Sequence, residues 1–584
     1  MKKTIPLILL LTLTVVPAAR PVHANTIVYG SIYTSDENQP WAEAMAIEDG
    51  KFVYVGDAAG VQSYIDESSE IITYDEGMIT SSLFDAHTHP ATIGMTGWHT
   101  KMGVPDYDGI ISFISSYLAE HDAQEAPFVY FEYYPSDLFG PEGPNKAPLD
   151  EIAPDRPILV RDFSDHASWV NSKCLELLGV YELDPSDPLL DDFVRDENGD
   201  FTGWVLELGL APLMDNMYEA LDWYPPEEPT EQVMHIVTDD MKKWGVTGVF
   251  DAFIEDELQV KSIHDMDEAG ELNMYYDMSY VLTDYTDLDD VIETLHRLNE
   301  TYGTEHVKID TVKIFYDGTN ELGDSALIDG TILDPDNHGF MLFDYEQTKE
   351  VIRRCNQEGL DVHFHLVGDL AFRTICDATE EVIAEQGPLD IQVEMCHCEY
   401  VDPADMTRPA QSGIIVNWTP HWSGGYFGDA ALQYLGQERF DNMYQFNPMM
   451  DSGAIVTFGS DCYSMFEENR ANPYFGMQTA MTRIDIEWPM EGKDPMRQKE
   501  DAKLSLEKLL KGYTINSAIQ LRVDDIAGSI EPGKSANYNV YGVNLFDVPE
   551  DEFQYVLPEL VVFEGRVIEE AEKGTSDQDV SEPS

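Results

Sequence analysis

The sequence predicts an α/β protein that consists of a TIM-like (β/α)8 barrel and a small β-sandwich formed by both ends of the chain. Three observations support this prediction. Amphipathic helical segments alternate with short apolar segments through the middle of the 584-residue chain, strand-like alternation occurs near both ends, and polar residues follow several of the apolar segments. A chain of this length with 43% hydrophobic residues can bury a large core and an accessory domain.

The barrel is predicted over residues 80–527 from a repeated unit of helix, short loop and apolar strand. A helix is expected from Thr230 to about Trp244, with Gly245 ending it and the buried strand VTGVFDAF following. The same order recurs in later pairs of segments: LDDVIETLHRLNETYG with TVKIFYDG, YEQTKEVIRRCNQEG with LDVHFHLVGD, and MMDSG with AIVTFGSD. Such repeats are typical of parallel α/β barrels, which carry their chemistry at the carboxyl ends of the strands.

Both ends of the chain are predicted to complete one β-sandwich. Residues 25–79 contain short alternating strands with a hairpin turn at Asp49–Gly50, and residues 528–570 repeat this pattern with a turn at Glu564–Gly565. Neither half has enough strands to bury a core alone, so we expect the halves to pack together. Residues 571–584 are expected to form a flexible acidic tail.

The segment 91–223 fits the barrel repeat poorly because it is rich in Pro, Asp and aromatic residues. We interpret it as a long insertion between early barrel units. An insertion at this place is expected to wall the active site.

The first 24 residues have the pattern of a secretory signal peptide. Lys2 and Lys3 precede an apolar run from Ile5 to Val16, and Val22-His23-Ala24 provides a cleavage site. The run is shorter than the roughly 20 apolar residues that span a bilayer, so membrane insertion is not expected. The sequence therefore predicts an exported, secreted protein.

The composition is strongly acidic, with a formal net charge of −76. Such a surface repels nucleic acids and anionic membranes, so neither is an expected partner. The acidic residues are spread along the chain, which is typical of a hydrated shell suited to salty surroundings. Assembly into a homo-oligomer is left open.

The six cysteines are few for an exported protein, and their spacing matches no zinc finger. We interpret them mainly as core residues, and a disulfide such as one between Cys355 and Cys376 is left open. If Cys396-His397-Cys398 is a strand, both thiols are expected on the face opposite His397.

The segment FDAHTHP, residues 84–90, is the first candidate for metal binding. His87 and His89 would share one face of a strand, and imidazole is a common ligand for zinc and similar divalent ions. Asp85 lies on the same face, where it could orient one of the rings. The alternative is a pair of surface histidines at a strand end.

Later strand ends carry polar residues that could complete such a site: Lys313 in VKIFYDG, His363 and His365 in VHFHLVGD, His397 in EMCHCEY, and Asp461 in FGSDCY. Each alone could be a satisfied polar group of the core. Lys313 could be a salt-bridged lysine, or a buried lysine that reacts with carbon dioxide to give a carbamate bridging two metals. Their recurrence at successive strand ends after His87 and His89 favours one shared site.

Motifs along nearly all of the mature chain also carry a resemblance to a known family: DGKFVYVGD, FDAHTHP, DHASWVNS, GVTGVFDA, VKIFYDG, HFHLVGDLAF, the histidine of MCHCEY, TPHW, GSD, YTINSA and GSIEPGK. The chain resembles the metal-dependent amidohydrolase superfamily, and specifically amidohydrolase family 3, which contains YtcJ-like and N-substituted formamide deformylase-like proteins. The combination of motifs is more specific than any one of them.

The resemblance implies one or two divalent ions, with Zn²⁺ expected, and these ligands: His87, His89 and Asp461 for the more buried ion, and His365, His397 and a bridging carbamate on Lys313 for the second. Glu207 in FTGWVLELG matches a family glutamate and is the alternative bridging ligand if Lys313 is unmodified. His363 is expected beside a ligand and not on the metal. His421 in TPHW resembles a family histidine near the substrate carbonyl.

The sequence departs from the family pattern at three places. Cys396 stands where the family usually has glutamate before the ligand histidine, and Cys462-Tyr463 replaces a small residue and proline after GSD. Asn537 replaces an aspartate in the β-sandwich. The first two departures lie close enough to the site to alter substrate choice, and none removes an expected ligand.

The implied chemistry is hydrolysis by metal-activated hydroxide. A divalent ion lowers the pKa of a bound water from about 15.7 toward 7. Asp461 would accept the water's proton and return it to the leaving nitrogen, and His421 would help to stabilise the tetrahedral oxyanion.

The expected reaction is cleavage of a non-peptide carbon–nitrogen bond in a small-molecule amide, a linear N-acyl or N-formyl amide. The nearest alternative is hydrolysis of cyclic amides, esters or carbamates. The alternative from another class is a non-catalytic exported protein that binds metal or ligand.

Overall fold

The computed structural model describes residues 20–21, 26–104, 106–207, 209–225, 234, 238–283, 285–490, 496–497 and 499–571. Most of the signal peptide expected from the sequence lies outside the described residues. The same is true of the start of the helix expected from Thr230 and of the expected tail beyond residue 571.

The strands of the described chain, in order, are β1 (Arg20–Pro21), β2 (Thr26–Tyr33), β3 (Trp41–Glu48), β4 (Lys51–Gly56), β5 (Glu70–Thr73), β6 (Met78–Ser81), β7 (Leu83–Thr88), β8 (Thr100–Lys101), β9 (Val129–Tyr134), β10 (Ile158–Asp162), β11 (Ala167–Val170), β12 (Phe193–Arg195), β13 (Phe201–Leu206), β14 (Val246–Ile254), β15 (Tyr275–Leu282), β16 (Val307–Phe315), β17 (Asp361–Leu366), β18 (Val393–His397), β19 (Ile415–Trp418), β20 (Val456–Phe458), β21 (Tyr538–Tyr541), β22 (Leu560–Phe563) and β23 (Arg566–Glu570).

The α-helices of the described chain are Pro90–Thr96, Tyr107–Glu120, Ala147–Ile152, Ser172–Leu178, Met214–Leu221, Glu257–Glu268, Leu288–Tyr302, Tyr345–Glu358, Asp369–Gln386, Arg408–Ser412, Leu432–Asp441, Asn447–Asp451, Pro473–Thr482, Leu506–Lys511 and Ser517–Gln520. None of the helices in these described ranges combines the length and the apolar character needed to cross a bilayer.

Eight parallel strands form a barrel, which confirms the predicted fold class. They run in the order β7, β14, β15, β16, β17, β18, β19 and β20, each paired with the next. Helices separate most of these strands, as the repeat predicted; Leu288–Tyr302 precedes β16, and Tyr345–Glu358 precedes β17. Because parallel strands share one direction, their carboxyl ends meet at one end of the barrel.

The helix before β17 shows how the sequence defines an element. Asp344 accepts a hydrogen bond from the Gln347 backbone N–H, and Gln347 Oε1 accepts one from the Asp344 backbone N–H, which is a capping box. Gly359 ends the helix with φ of +71°, a conformation that costs glycine little. The chain then enters β17 with its two histidines at fixed positions.

The insertion between β7 and β14 forms its own six-stranded sheet, in the order β12, β13, β11, β10, β9 and β8. Two apolar clusters, one around Leu175 and Met217 and one around Ile114 and Trp169, stabilise it. The insertion is therefore a packed subdomain beside the barrel mouth.

Both ends of the chain contribute to one sheet, because β21 pairs with β6 and β2 pairs with β3, β5 and β6. The hairpin turns at Asp49–Gly50 and Glu564–Gly565 have positive φ at both residues, as tight two-residue hairpins require. A Cβ on Gly50 would lie 2.7 Å from the Glu564 carbonyl oxygen, so the two turns can touch only with glycine there.

All six cysteines are buried, and none of them forms a disulfide. The disulfide between Cys355 and Cys376 that the sequence left open is therefore not formed. Both of these residues pack in the main apolar core, as does Cys398, in agreement with their interpretation as core residues.

Candidate metal centre

One cavity of about 320 Å³ opens at the carboxyl ends of the barrel strands. Its lining includes most of the site residues that the sequence singled out: His87, His89, Glu207, Lys313, His365, His397 and Asp461. His89 and Asp461 are 372 residues apart in the sequence, yet the parallel barrel brings their strand ends together.

Asp461 joins the two histidines of the first barrel strand. Its Oδ1 atom lies 3.2 Å from His87 Nε2 and 2.8 Å from His89 Nε2. The candidate ligand atoms of these three residues all lie within 4.8 Å of one another, and each residue is at most 9% exposed. Two imidazoles and a carboxylate in a buried cluster of this size form a suitable donor set for zinc.

His365 and His397 form the second part of the site. Their ring centroids are 4.6 Å apart, and the rings of His87 and His397 are 5.0 Å apart. His397 Nδ1 lies 3.6 Å from Asp461 Oδ2, so Asp461 faces both parts of the site.

Several nitrogen atoms in this cluster are buried and make no hydrogen bond: His87 Nε2, His89 Nδ1, His365 Nε2 and His397 Nδ1. Buried polar atoms are normally satisfied, so atoms of this kind concentrated around one point indicate a missing partner. A divalent metal ion fits this donor set, because neutral imidazole and carboxylate are its ordinary ligands.

The electrostatics of the cluster suit metal binding. Burial, followed by the nearby Lys313, lowers the pKa of His87 to about 3, and burial also lowers the pKa values of His365 and His397. Burial acts to raise the pKa of Asp461, but His87 and His397 outweigh it and lower that pKa below its usual value. These directions favour neutral rings at His87, His365 and His397 and an ionised Asp461, which are the forms in which these side chains bind a metal.

His363 lies behind His87 and does not line the cavity. Its Nε2 is 2.9 Å from His87 Nδ1, and its Nδ1 is 2.6 Å from Glu394 Oε2. If His87 donates to His363 and His363 donates to Glu394, then a lone pair remains on His87 Nε2. In that arrangement the chain of bonds presents the His87 tautomer that a metal requires.

Glu394 was missed by the sequence reasoning. It lies in β18 two residues before Cys396, so both side chains share the inner face of the barrel. The signal that could have revealed it is the presence of a glutamate within a buried strand.

The prediction that Asp85 could orient a histidine ring is wrong. Its Oδ1 atom accepts hydrogen bonds from the backbone N–H groups of Ser460, at 2.9 Å, and His87, at 3.3 Å. The side chain reaches across to the loop that carries Asp461, which strand periodicity alone could not predict. Asp85 therefore fixes the backbone of both metal-site segments.

His421 also differs from its expected position near the substrate carbonyl. It lies in the 3₁₀ helix Pro420–Ser423, where its Nε2 is 2.8 Å from the Ser460 carbonyl oxygen and its Nδ1 is 3.2 Å from Arg470. Both nitrogens are thus engaged, and the neighbouring Trp422 lines the cavity in its place. His421 supports the Asp461 loop from behind.

Glu207 lies at the edge of the cavity, at the end of β13 in the insertion. Its Oε2 is 2.8 Å from His166 Nδ1, while its Oε1 is buried without a hydrogen bond. Burial opposes protonation of His166, but Glu207 outweighs this effect and raises the pKa of His166 to about 9. His166, from the DHASWVNS motif, is a further cavity residue to which the sequence reasoning gave no role.

Lys313 is 1% exposed and lines the cavity. Within the described residues its Nζ lies 3.9 Å from Cys396 Sγ and forms no ion pair with a carboxylate. The salt-bridged alternative for Lys313 is thus not observed in this part of the chain.

The prediction that both thiols of Cys396-His397-Cys398 lie opposite His397 is wrong for Cys396. The ligand atoms of His87, Cys396 and His397 lie within 4.8 Å of one another. His397 and Cys398 have φ values of +68° and +47°, so the regular alternation ends at His397. This left-handed turn brings the His397 ring to the same side as the Cys396 thiol.

A family model described as an amidohydrolase family matches residues 75–569. The chain is 24% identical to the putative amidohydrolase YtcJ of Bacillus subtilis (strain 168) over 547 residues, which cover 93% of this chain and 98% of that protein. It is 23% identical to the N-substituted formamide deformylase of Arthrobacter pascens over 524 residues, covering 88% and 92% of the two chains.

The fold is also similar to solved structures. A crystal structure of an uncharacterized metal-dependent hydrolase from Pyrococcus horikoshii OT3 superposes with a TM-score of 0.66 at 21% identity, covering 91% of this chain and all of that one. This likeness agrees with the barrel fold.

Proposed function

The chain belongs to the amidohydrolase family, and on this premise we propose that it hydrolyses a linear N-acyl or N-formyl amide of a small molecule, using Zn²⁺. The observation that carries the proposal is the cavity itself, because the candidate ligands line it together with enough open space for a substrate. Its volume of about 320 Å³ suits a small organic molecule.

The walls of the cavity indicate the kind of substrate. Aromatic side chains from the insertion and from the strands and loops of the barrel line the cavity: Trp98, Tyr130, Tyr133, Tyr218, Phe253, Phe315, Trp422, Phe427 and Tyr463. Arg161, a cation of this wall, is already paired with Asp165. The lining therefore favours an uncharged or cationic substrate with an apolar acyl or amine group, and it disfavours anions.

His87, His89 and Asp461, with His365 and His397 beside them, would hold a divalent ion. The ion would supply Lewis-acid chemistry, which lowers the pKa of a bound water and polarises a carbonyl. Asp461 is held in place by the hydrogen bond from its backbone N–H to the His87 carbonyl oxygen, at 2.7 Å. Its ionised carboxylate can accept a proton from water and deliver it to the leaving nitrogen. His166, fixed by Glu207, can donate from Nε2 toward the substrate carbonyl oxygen.

Carbamylation of Lys313 is part of the proposal. A buried ammonium group without a carboxylate partner is costly. After it loses a proton, the neutral amine can add to carbon dioxide, and release of a second proton gives a carbamate anion that faces the candidate ligands. The carbamate would add two oxygen donors between the two halves of the site. The mass of the intact protein, measured before and after acidification, tests for the modification.

Export is proposed on the pattern of residues 1–24 alone. Its test is the N-terminal sequence of the protein recovered outside the cells that produce it. A chain that begins after Ala24 supports export, and a full-length chain retained inside the cells contradicts it.

The function is tested with a panel of substrates that share one aryl group. The panel contains a formanilide, an acetanilide, a lactam, an ester and a carbamate, each incubated with zinc-replete protein. Release of the aryl amine from the linear amides, without opening of the lactam, is expected. Cleavage confined to the lactam, ester or carbamate would contradict the proposed substrate class. No cleavage of any member would favour the non-catalytic alternative.

A further inference from the structure

Cys396 occupies the inner face of the barrel between the two parts of the metal centre. It pairs in register with His365 of β17 and with Asn417 of β19. The side chain is fully buried, and the left-handed backbone at His397 places two consecutive residues of β18 against the same space.

The distances around the thiol fit a shared metal ion. Cys396 Sγ and the facing nitrogens of His87 and His397 all lie within 4.8 Å of one another. In a tetrahedral zinc site with Zn–N bonds of about 2.0–2.1 Å and Zn–S bonds of about 2.3 Å, the ligand atoms lie roughly 3.3–3.6 Å apart. Small side-chain movements would therefore close the observed cluster around one ion.

Two histidine nitrogens provide a second observation. His87 Nε2 and His397 Nδ1 are buried and make no hydrogen bond, although Asp461 oxygens lie 3.2 and 3.6 Å from them. Both histidines offer a ligand atom to the same cluster as the sulfur. The neighbouring thiols differ, because Cys398 Sγ points to the backbone carbonyls of Met395 and Cys396, and Cys462 Sγ points to those of Ser464 and Glu467. Cys396 differs from both because its sulfur faces the ligand atoms of His87 and His397.

We propose that Cys396 is a thiolate ligand of the ion that His87 Nε2 would bind, with His397 beside it. The inference rests on the proposed function, since it requires a metal centre at the strand ends. Metal binding replaces the S–H bond with a metal–sulfur bond and releases the proton to water. No change of oxidation state is involved. Lys313 Nζ, 3.9 Å from the sulfur, would carry its carbamate into the same space, so both groups can reach the ions.

Cobalt substitution tests the Cys396 thiolate ligand separately from the proposed metal centre. Apoprotein is titrated with Co²⁺ alone, and its absorption spectrum is recorded. Ligand-field bands in the visible region report a metal centre of any donor set, whereas a thiolate-to-cobalt charge-transfer band in the near ultraviolet reports sulfur. The wild-type protein is expected to show both.

The matched variants are Cys396→Ser, Cys398→Ser and Cys462→Ser. Cys396→Ser is expected to lose the charge-transfer band, to keep the visible bands, and to bind Zn²⁺ more than about 100-fold more weakly, beyond the 10–100-fold typical of losing a residue behind a ligand. The other two variants are expected to keep the wild-type spectrum. If Cys396→Ser does not fold, retention of the band in both of the others leaves Cys396 as the source among the three cysteines that adjoin a proposed ligand in the sequence.

Different results would contradict the thiolate ligand and the metal centre. Visible bands without a charge-transfer band in the wild type would overturn the thiolate ligand and leave the metal centre intact. A charge-transfer band that persists in Cys396→Ser, or that is lost in Cys398→Ser or Cys462→Ser, would also overturn it. Failure of the wild type to bind Co²⁺ at all would overturn the metal centre, and the thiolate with it.

Discussion

His363 Nε2 lies 2.9 Å from His87 Nδ1, so the ring that faces the candidate metal is held from behind by a second buried imidazole. Glu394, 2.6 Å from the other nitrogen of His363, completes the chain. A ligand oriented in this way loses less freedom on binding and presents the correct lone pair.

His363→Phe removes the acceptor for His87 Nδ1 while keeping a ring of similar size. We expect the dissociation constant for Zn²⁺ to rise about 10–100-fold. It is measured by competition with a coloured chelator, at a temperature where the variant is folded. His264→Phe, which changes a histidine outside the cavity, serves as the control, and an unchanged zinc affinity in His363→Phe would contradict the role given to His363.

Asp461→Asn keeps the shape of the side chain but removes its charge and its capacity to accept a proton. We expect kcat to fall by about 10²–10⁴-fold, which is the usual contribution of general acid–base catalysis. The comparison is made at equal metal content, determined on the same samples. Wild-type turnover by a zinc-replete variant would show that Asp461 does not transfer the proton.

The periodicity of helices and strands predicted the fold, and the resemblance to the amidohydrolase family supplied the expected ligand set. Side chains two residues apart share a strand face, so His87 and His89, or His363 and His365, can be paired without coordinates. Cys396 was not expected at the metal centre because strand periodicity assumes that side chains alternate regularly. His397 instead ends the strand in a left-handed conformation.

Residues whose partners lie far along the chain were harder to place. Asp85 bonds the backbone of Ser460, and His421 bonds the carbonyl of the same residue. Both contacts depend on how a loop crosses the barrel mouth. His166 meets Glu207 only because β11 and β13 pair in the insertion, whose sheet has no periodic signal strong enough to predict.

The free energy of unfolding should depend on pH through His306, which joins the barrel to the terminal sheet. Its Nε2 lies 3.3 Å from Glu564 and its Nδ1 lies 2.8 Å from Asp267. The bond to Glu564 contributes most to raising its pKa, to about 9. Since the folded pKa exceeds the unfolded value of about 6.5, this stabilisation is complete below pH 6.5 and is lost as the pH rises through about 9.

Urea unfolding of the wild type and His306→Gln at several pH values isolates this contribution. The difference in free energy should be about 1 kcal/mol at pH 6, a figure reduced for solvent screening of this partly exposed group, and should vanish near pH 10. His296→Gln, at an exposed position, is the control. A difference that does not change with pH would contradict the prediction.

Salt should stabilise the protein because the acidic side chains that give it a net charge of −76 repel one another in the folded state. Raising the NaCl concentration from 10 mM to 1 M shortens the screening length from about 30 Å to about 3 Å. We expect Tm to rise by several degrees, and KCl to give the same rise at equal ionic strength. A Tm that is constant, or that depends on which cation is used, would rule out screening as the cause.

The central claim is that the strand ends of the barrel hold a divalent metal ion, and its most direct test is crystallographic. Crystals of zinc-replete protein are measured at wavelengths on both sides of the zinc absorption edge. We predict an anomalous-difference peak at bonding distance from His87, His89 and Asp461, about 2.0–2.2 Å from each ligand atom. Zinc bound in stoichiometric amount, with anomalous peaks only elsewhere on the molecule, would contradict the account.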